Sequence, residues 1–343
     1  MNHHLKSQRV RRSLLVLAPV TAILLASGCG TSTSGAQDGD SEAFPASNTK
    51  IEWVVPSAAG AGNDILARIV APALEKELGV PVRVVNKEGG NQVIGLNYLA
   101  GSKPDGQTMG YTNIPSIFGR YLDPSKKASF NRESFAPVGS FAFNDVVIGV
   151  NKSSPYSTIG ELFDAVKANP GEITVGTDSR AGDDHVNLRV LEKALGLDFN
   201  IVHYNSGADK IAALVSGEVD FALGGLSSFI GPYKSGEVKL LTIINDKQSA
   251  FLPEVPTLET SGYQVEPMTN NFAVSVPAGT PAATVASLEK ELKDAINTPE
   301  VAEKLKTAGT APAWLSAAEV AKTWQEREAK AKPIIDELLK ETT

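Results

Sequence analysis

The feature that most constrains the fold is an alternation, starting at residue 51, of short apolar runs with stretches of helical periodicity. Ile51-Glu52-Trp53-Val54-Val55 reads as a strand, and Ser57-Ala58-Ala59-Gly60-Ala61-Gly62-Asn63-Asp64 as a small-residue turn. A helix is predicted over 64–78, with Ile65, Ile69, Leu74 and Leu78 on one side and Asn63 or Asp64 as cap. Residues 82–85 give the next strand, so the opening is a βαβ unit. The pattern continues with a helix over 93–100, the Pro104-Asp105-Gly106 turn and a strand over 108–112. Residues 141–150 form a long apolar strand that leaves a first domain. Beyond it, strands over 173–177, 200–204, 219–223 and 239–244 alternate with helices over 186–195 and 211–216. A strand over 271–276 returns, and the tail is helical over 281–297, 299–308 and 316–339. Thr158 with Glu161 and Ser316 with Glu319 are capping boxes, and Pro333 is expected to kink or split the last helix. Such alternation predicts an α/β fold of parallel sheets with helices on both faces. Ligands bind such sheets at the carboxyl ends of the strands. The 343 residues suit about two domains with a cleft between them.

Residues 1–29 read as an export leader. A basic stretch ends in Arg11-Arg12, an apolar run spans 14–25, and Ala26-Ser27-Gly28 leads into Cys29. The run is short for a membrane span. Leu25-Ala26-Ser27-Gly28-Cys29 resembles a bacterial lipobox, which makes Cys29 the lipidated N-terminus of the mature chain. A plain secretory signal and a twin-arginine signal are the alternatives. Residues 30–48 hold almost no large apolar side chain and read as a flexible tether. The expected location is the outer face of a cell membrane. Removing Lys6, Arg9, Arg11 and Arg12 takes the formal charge from −7 to −11. So acidic a body lacks the basic stripe that nucleic acid requires.

Cys29 is the one cysteine, which excludes disulfides and cysteine-based zinc sites. There is no G-x-S-x-G elbow and no H-E-x-x-H. Asp183-Asp184-His185 are adjacent on one chain, a poor metal set. They read as the start of a helix whose dipole favours acids. Gly60-Ala61-Gly62 lacks the third glycine of a dinucleotide fingerprint. It still presents free backbone N–H groups at a helix N-terminus, a site suited to a carboxylate. A second turn, residues 176–182, also follows a strand and precedes a helix. Thr177, Asp178, Ser179 and Arg180 are its candidates, with Arg180 able to hold a distal carboxylate bidentately. Tyr204-Asn205-Ser206-Gly207 is a third polar turn, with Tyr204 a candidate. Asn113 and Ser227 complete the candidate set. No metal and no cofactor is expected.

At these turns the chain resembles the extracytoplasmic solute receptors of tripartite tricarboxylate transporters, the Bug receptors. The similarity runs over residues 51–318. It rests on Val55-Pro56 through Gly60 and Asp64 to Arg68, on Val84-Val85-Asn86, and on Pro104-Asp105-Gly106-Gln107-Thr108. It continues with His185, His203-Tyr204-Asn205-Ser206-Gly207 and Gly217-Glu218-Val219-Asp220. Pro253-Glu254-Val255-Pro256-Thr257-Leu258 and Pro277-Ala278-Gly279-Thr280-Pro281 follow. The resemblance implies a type II periplasmic binding protein fold, a Venus flytrap of two doubly wound domains joined by two crossing strands. The domains would be 49–148 with 270–343, and 149–269. A carboxylate would be held by Ser57 to Asp64 and by Thr177 to Ser179 with Asp183. The chain departs from the family at Ser57, Ala61, Asn63, Asp183 and Asp184. Acidic residues there disfavour a second ligand carboxylate and suit a ligand amine.

The expected function is therefore capture of a small carboxylate by a lipid-anchored monomer that serves the large and small membrane subunits of such a transporter. A sensory module that presents a carboxylate or amino acid to a membrane signalling partner is the alternative. An enzyme is not expected, since no nucleophile, metal set or acid–base pair is found.

Overall fold

The order of elements begins β1 (Ile51–Val55), α1 (Gly62–Leu78), β2 (Val82–Asn86), α2 (Val93–Ala100), β3 (Thr108–Tyr111) and α3 (Phe118–Tyr121). It continues with β4 (Phe135–Asn151), α4 (Ile159–Ala168), β5 (Thr174–Thr177), α5 (Asp183–Leu195), β6 (Asn200–His203) and α6 (Gly207–Ser216). Then come β7 (Phe221–Gly225), α7 (Leu226–Lys234), β8 (Val238–Ile243) and β9 (Thr269–Pro277). The chain ends with α8 (Ala282–Ile296), α9 (Pro299–Thr307), β10 (Ala311–Ser316) and α10 (Ala317–Lys340). This computed structural model describes residues 44–341 except Ser47, Asn205, Ala250 and the side chain of Ala311. The expected leader, Cys29 and all but the end of the tether lie outside the described residues. Phe44, inside the expected tether, packs against the core beneath α1, and its carbonyl accepts a hydrogen bond from Ser287 Oγ at 3.3 Å. Among the described residues no helix is long and apolar enough to cross a membrane.

The sheet order is β2-β1-β3-β9-β4-β7-β5-β6, with β10 and β8 also paired to β4. β1 pairs in parallel with β2 and β3, and β5 with β6 and β7. β4 carries both half-sheets. Its first part pairs antiparallel with β9 and β10, and its last part with β7 and β8. The fold is α/β with helices on both faces, as the alternation predicts. α1 presents Leu66, Ala67, Val70, Ala71 and Leu74 to one core, which also holds Leu288 and Leu292 of α8. α2 presents Val93, Leu96 and Leu99 to another, shared with Trp324 of α10. Trp53 sits under the first core, 5.6 Å from Tyr111 and 6.1 Å from Phe141 between ring centres. The second half-sheet has its own core around Val146, Ile148, Phe163, Leu188 and Phe221.

The tail differs from expectation in two respects, the added strand β10 and the course of the helix at Pro333. α10 is a single helix across Pro333. Pro333 and Ala329 are both exposed, so water can serve the carbonyl that a proline cannot.

α2 is fixed against the β1–α1 turn by Gly95. A Cβ there would lie 2.6 Å from the Lys87 carbonyl oxygen and 2.8 Å from Pro56 Cα, both backbone. Gly95→Val is expected to lower stability by about 1–3 kcal/mol in urea unfolding. Gly231→Ala, which meets nothing within 4 Å, is expected to leave stability unchanged or raise it.

Candidate functional site

β1 delivers the chain at its carboxyl end into the turn 56–61, and α1 begins at Gly62 with no side-chain cap at Ala61. The turn is shaped by Asp64, which is 2% exposed. Its carboxylate accepts from Gly60 N at 2.8 Å, Asn86 Nδ2 at 2.9 Å and Arg68 Nε at 3.0 Å. Asn86 Nδ2, from the end of β2, also donates to the Ser57 carbonyl at 3.0 Å. Gly60 closes the turn at φ +81°, a region closed to most L-residues. The Arg68 guanidinium, helped by the Gly60 and Asn86 N–H groups, holds the Asp64 carboxyl at about 2. Asp64 thus shapes the turn from behind. Ala58, Ala59, Gly60 and Gly62 are exposed. Asn63 Oδ1 accepts from Asn113 Nδ2 at 3.0 Å. Two buried oxygens here, Ser57 Oγ and Asn113 Oδ1, have no protein partner.

The second turn leaves β5 at Thr177, and α5 begins at Asp183 without a side-chain cap at Gly182. Thr177 is fully buried, and its hydroxyl donates to the Asp178 carbonyl at 2.8 Å. His203 Nδ1 lies 2.9 Å from the same carbonyl. His185 Nδ1 accepts the Ala181 N–H at 3.2 Å, holding Ala181 in the left-handed region at φ +57°. Burial pushes His185 down to about 3, so the ring stays neutral and free to accept. Beneath the turn, the Lys210 ammonium of α6 pairs with Asp184 and donates to the Leu223 carbonyl at 2.8 Å. Lys210 is 3% and Asp184 5% exposed. Burial pushes Asp184 up to about 6 against the pull of Lys210. Burial, followed by the charges of Asp184 and Asp183, pushes Asp178 well above the usual carboxylate range. Asp178 Oδ1 is buried without a partner.

The two turns belong to different half-sheets, and Asn91 Nδ2, in the β2–α2 loop of the first half-sheet, donates to Ser179 Oγ of the second turn at 3.1 Å. The remaining candidates are placed elsewhere. Arg180 donates to the Leu338 carbonyl of α10 at 2.8 Å. Tyr204 OH donates to Glu218 Oε1 at 2.8 Å. Ser227, at the start of α7, exchanges two hydrogen bonds with the Asn144 amide of β4, at 2.9 and 3.0 Å. Asp183 lies in the first turn of α5 beside Asp178 and Asp184.

Sequence reasoning missed Asn86, Asn144 and Lys210. Lys210 carries a readable signal, because it falls on the same helical face as Ile211 and Leu214. Asn144 interrupts an otherwise apolar run. Among the described residues no three His, Cys, Asp or Glu side chains converge to hold a metal ion. The arrangement offers amide and hydroxyl groups at two helix starts, which is chemistry for holding an anion.

A family model described as the tripartite tricarboxylate transporter family receptor matches residues 66–339. The chain is 26% identical over 296 residues to Protein BugT of Bordetella pertussis, covering 85% of this chain and 90% of that one. A solved Rhodopseudomonas palustris protein with adipate aligns with TM-score 0.75 at 22% identity, over 86% of this chain and 98% of its own. MatC of the same organism, with bound malate, aligns with TM-score 0.71 at 22% identity, over 85% and 100%.

Two predictions follow from the buried charges. The Asp64 carboxyl lies below its unfolded value of 3.8, at about 2. Its network therefore stabilises the fold above the higher value and is lost as the pH falls through the lower one. Asp64→Asn is expected to flatten the acid limb of stability in that window and to cost about 1–3 kcal/mol at neutral pH. Lys210→Met leaves Asp184 buried and unpaired, so a loss of about 3–5 kcal/mol is expected. Adding Asp184→Leu should restore most of it, measured as urea midpoints of the single and double variants.

Proposed function

The chain belongs to the tripartite tricarboxylate transporter receptor family, and from that premise we propose that it captures a small carboxylate for such a transporter. The ligand lies between the 56–61 turn and the 178–182 turn. The observation that carries this reading is the pairing of two uncapped helix starts, α1 and α5, with three buried oxygens that lack protein partners: Ser57 Oγ, Asn113 Oδ1 and Asp178 Oδ1. Backbone N–H groups at the helix starts take the carboxylate. Asn113 and Asp178 then read a hydroxyl or ammonium group nearby. Adipate and malate in solved neighbours support the ligand class.

The reading includes two lobes, 49–148 with 270–343 and 149–269, which close about β4 and β9. Ligand contacts to both turns stabilise the closed state. Asn91 with Ser179 is the kind of inter-lobe contact that closure would make. Cys29 would carry the lipid that holds the receptor outside the cytoplasm. Its partners would be the membrane subunits of the transporter, and it would act as a monomer.

The test is thermal unfolding of the full chain with succinate, malate, adipate, citrate, benzoate and aspartate. A true ligand at a hundred times its Kd should add about 2.7 kcal/mol of stability. Asn113→Ala and Ser57→Val should remove most of that shift while the ligand-free melt stays within a few degrees. A panel without effect on a folded chain, or a shift indifferent to both variants, sinks the proposal.

A further inference from the structure

α10 begins on one half-sheet and ends on the other. Trp324, in its first half, stacks on Phe135, with ring centres 6.1 Å apart. In its last turns Glu337 pairs with Lys193 of α5 at 2.5 Å, and Glu341, just beyond, with Arg189 at 2.8 Å. Between the two helices and the entry to β9 lies a cavity of about 90 Å³. Val186, Asn187, Val190, Met268, Arg327 and Ala331 line it. Most of this wall is apolar; Glu266, Thr269 and Lys330 also border it, and two further polar groups bear on a ligand.

The first is Asn187, only 8% exposed, whose Nδ2 donates to nothing. A buried donor without an acceptor is destabilising, and native structures hold few of them. The second is the partly buried Arg327. It donates to the Thr269 carbonyl, to Thr269 Oγ1 at 2.8 Å and to Asn271 Oδ1 at 3.4 Å, all of them neutral acceptors. No carboxylate among the described residues comes within ion-pair distance of it. Glu266, at the rim, is engaged with Lys330 at 2.5 Å. Burial lowers the Arg327 guanidinium from its ordinary range, and the nearby Glu266 charge opposes this only in part.

We propose that this cavity is a second ligand site, for a small monocarboxylate with an apolar tail of a few carbons. The carboxylate meets Arg327 and Asn187 Nδ2, and the tail lies against Val186, Val190 and Met268. The size suits this class. One water needs roughly 10–15 Å³ of such space, so the cavity takes a short branched chain rather than a tricarboxylate. Lys330, which also lines the cavity, is engaged with Glu266, so a second carboxylate would meet the Glu266 charge at the rim. The site is distinct from the turns at 56–61 and 178–182, because it uses the flank of α5 and the middle of α10. Its occupant would bridge α5, α10 and the 267–269 segment.

The experiment is ligand-observed saturation-transfer NMR on the full chain, with isovalerate as probe and isovaleramide as its neutral counterpart. Isovalerate should receive saturation, and the amide should bind at least about tenfold more weakly, as loss of a charge-assisted contact implies. Asn187→Leu and Arg327→Gln should abolish the isovalerate signal. Asn187→Leu should melt at the same or a higher temperature, because it removes an unsatisfied donor, so its loss of signal is not unfolding. Ser57→Val and Asn113→Ala should keep the signal, even where they cancel dicarboxylate binding at the turns. No saturation of isovalerate by the unaltered chain overturns the proposal. So does equal binding of the amide, or a signal lost in Ser57→Val and kept in Asn187→Leu.

Discussion

One backbone strand serves two half-sheets. The 17 residues of β4 pair with β9 and β10 at one end and with β7 and β8 at the other. A strand covered on both faces must be apolar on both, and Val146, Ile148 and Val150 enter one core while Val147 enters another, all fully buried. The departures from that rule are local. Asn144 turns its amide onto Ser227 at the start of α7, and Asp145 accepts from Asn245 Nδ2 at 3.0 Å. These polar residues sit where the pairing passes from β9 to β7 and β8. Every element that carries a candidate ligand residue is placed by its pairing, direct or relayed, to this strand.

The two turns are stabilised by different physics. Around Asp64 the network is compact, with a buried carboxylate and a cation that faces solvent. Arg68 keeps much of its side chain in water, so the desolvation cost falls mainly on Asp64, where the hydrogen bonds from Arg68, Gly60 and Asn86 outweigh it. Beneath the second turn Lys210 and Asp184 are both withdrawn from solvent, and the desolvation cost is large. Removing one partner of that pair is far worse than never having had it. Its effect is less to strengthen the fold than to fix where α5 begins, because Lys210 also takes the Leu223 carbonyl of β7. The start of α5 is thereby tied to the interior of its own half-sheet.

The alternation of elements was legible because periodicity needs only neighbours in sequence. Thr158 with Glu161 and Ser316 with Glu319 form their capping boxes as read. Three elements were not legible. α3 is a single turn of four residues that includes Gly119, too short for a period to show. α7 contains Gly231 and Pro232, which argue locally against a helix, and β10 contains Pro312 and becomes a strand only by pairing with β4. The candidate turns were readable as small-residue segments after strands. The orientation of individual side chains within them was not. Asp64 faces Asn86, 22 residues away, and Arg180 faces Leu338, 158 residues away. Such partners are set by topology, and no local pattern announces them.

Backbone conformation adds a constraint on how the β2–α2 loop meets the second turn. The bridge from Asn91 to Ser179 joins two segments that both contain left-handed non-glycine residues. Asn91 and Gln92 have φ of +51° and +76°, and Ala181 has +57°. Such a conformation costs about 1–2 kcal/mol per residue relative to the right-handed form. Two of the three are held by another residue's side chain. Arg120 Nε donates to the Asn91 carbonyl at 3.3 Å, and the neutral His185 ring takes the Ala181 N–H. The contact between the half-sheets is made by two side chains, Asn91 and Ser179, that project from backbone supported in this way. A ligand that bonds to the second turn meets an Ala181 conformation that His185 already holds in place. Less of its binding energy is then spent on ordering that turn, which is how preorganisation raises affinity without adding contacts.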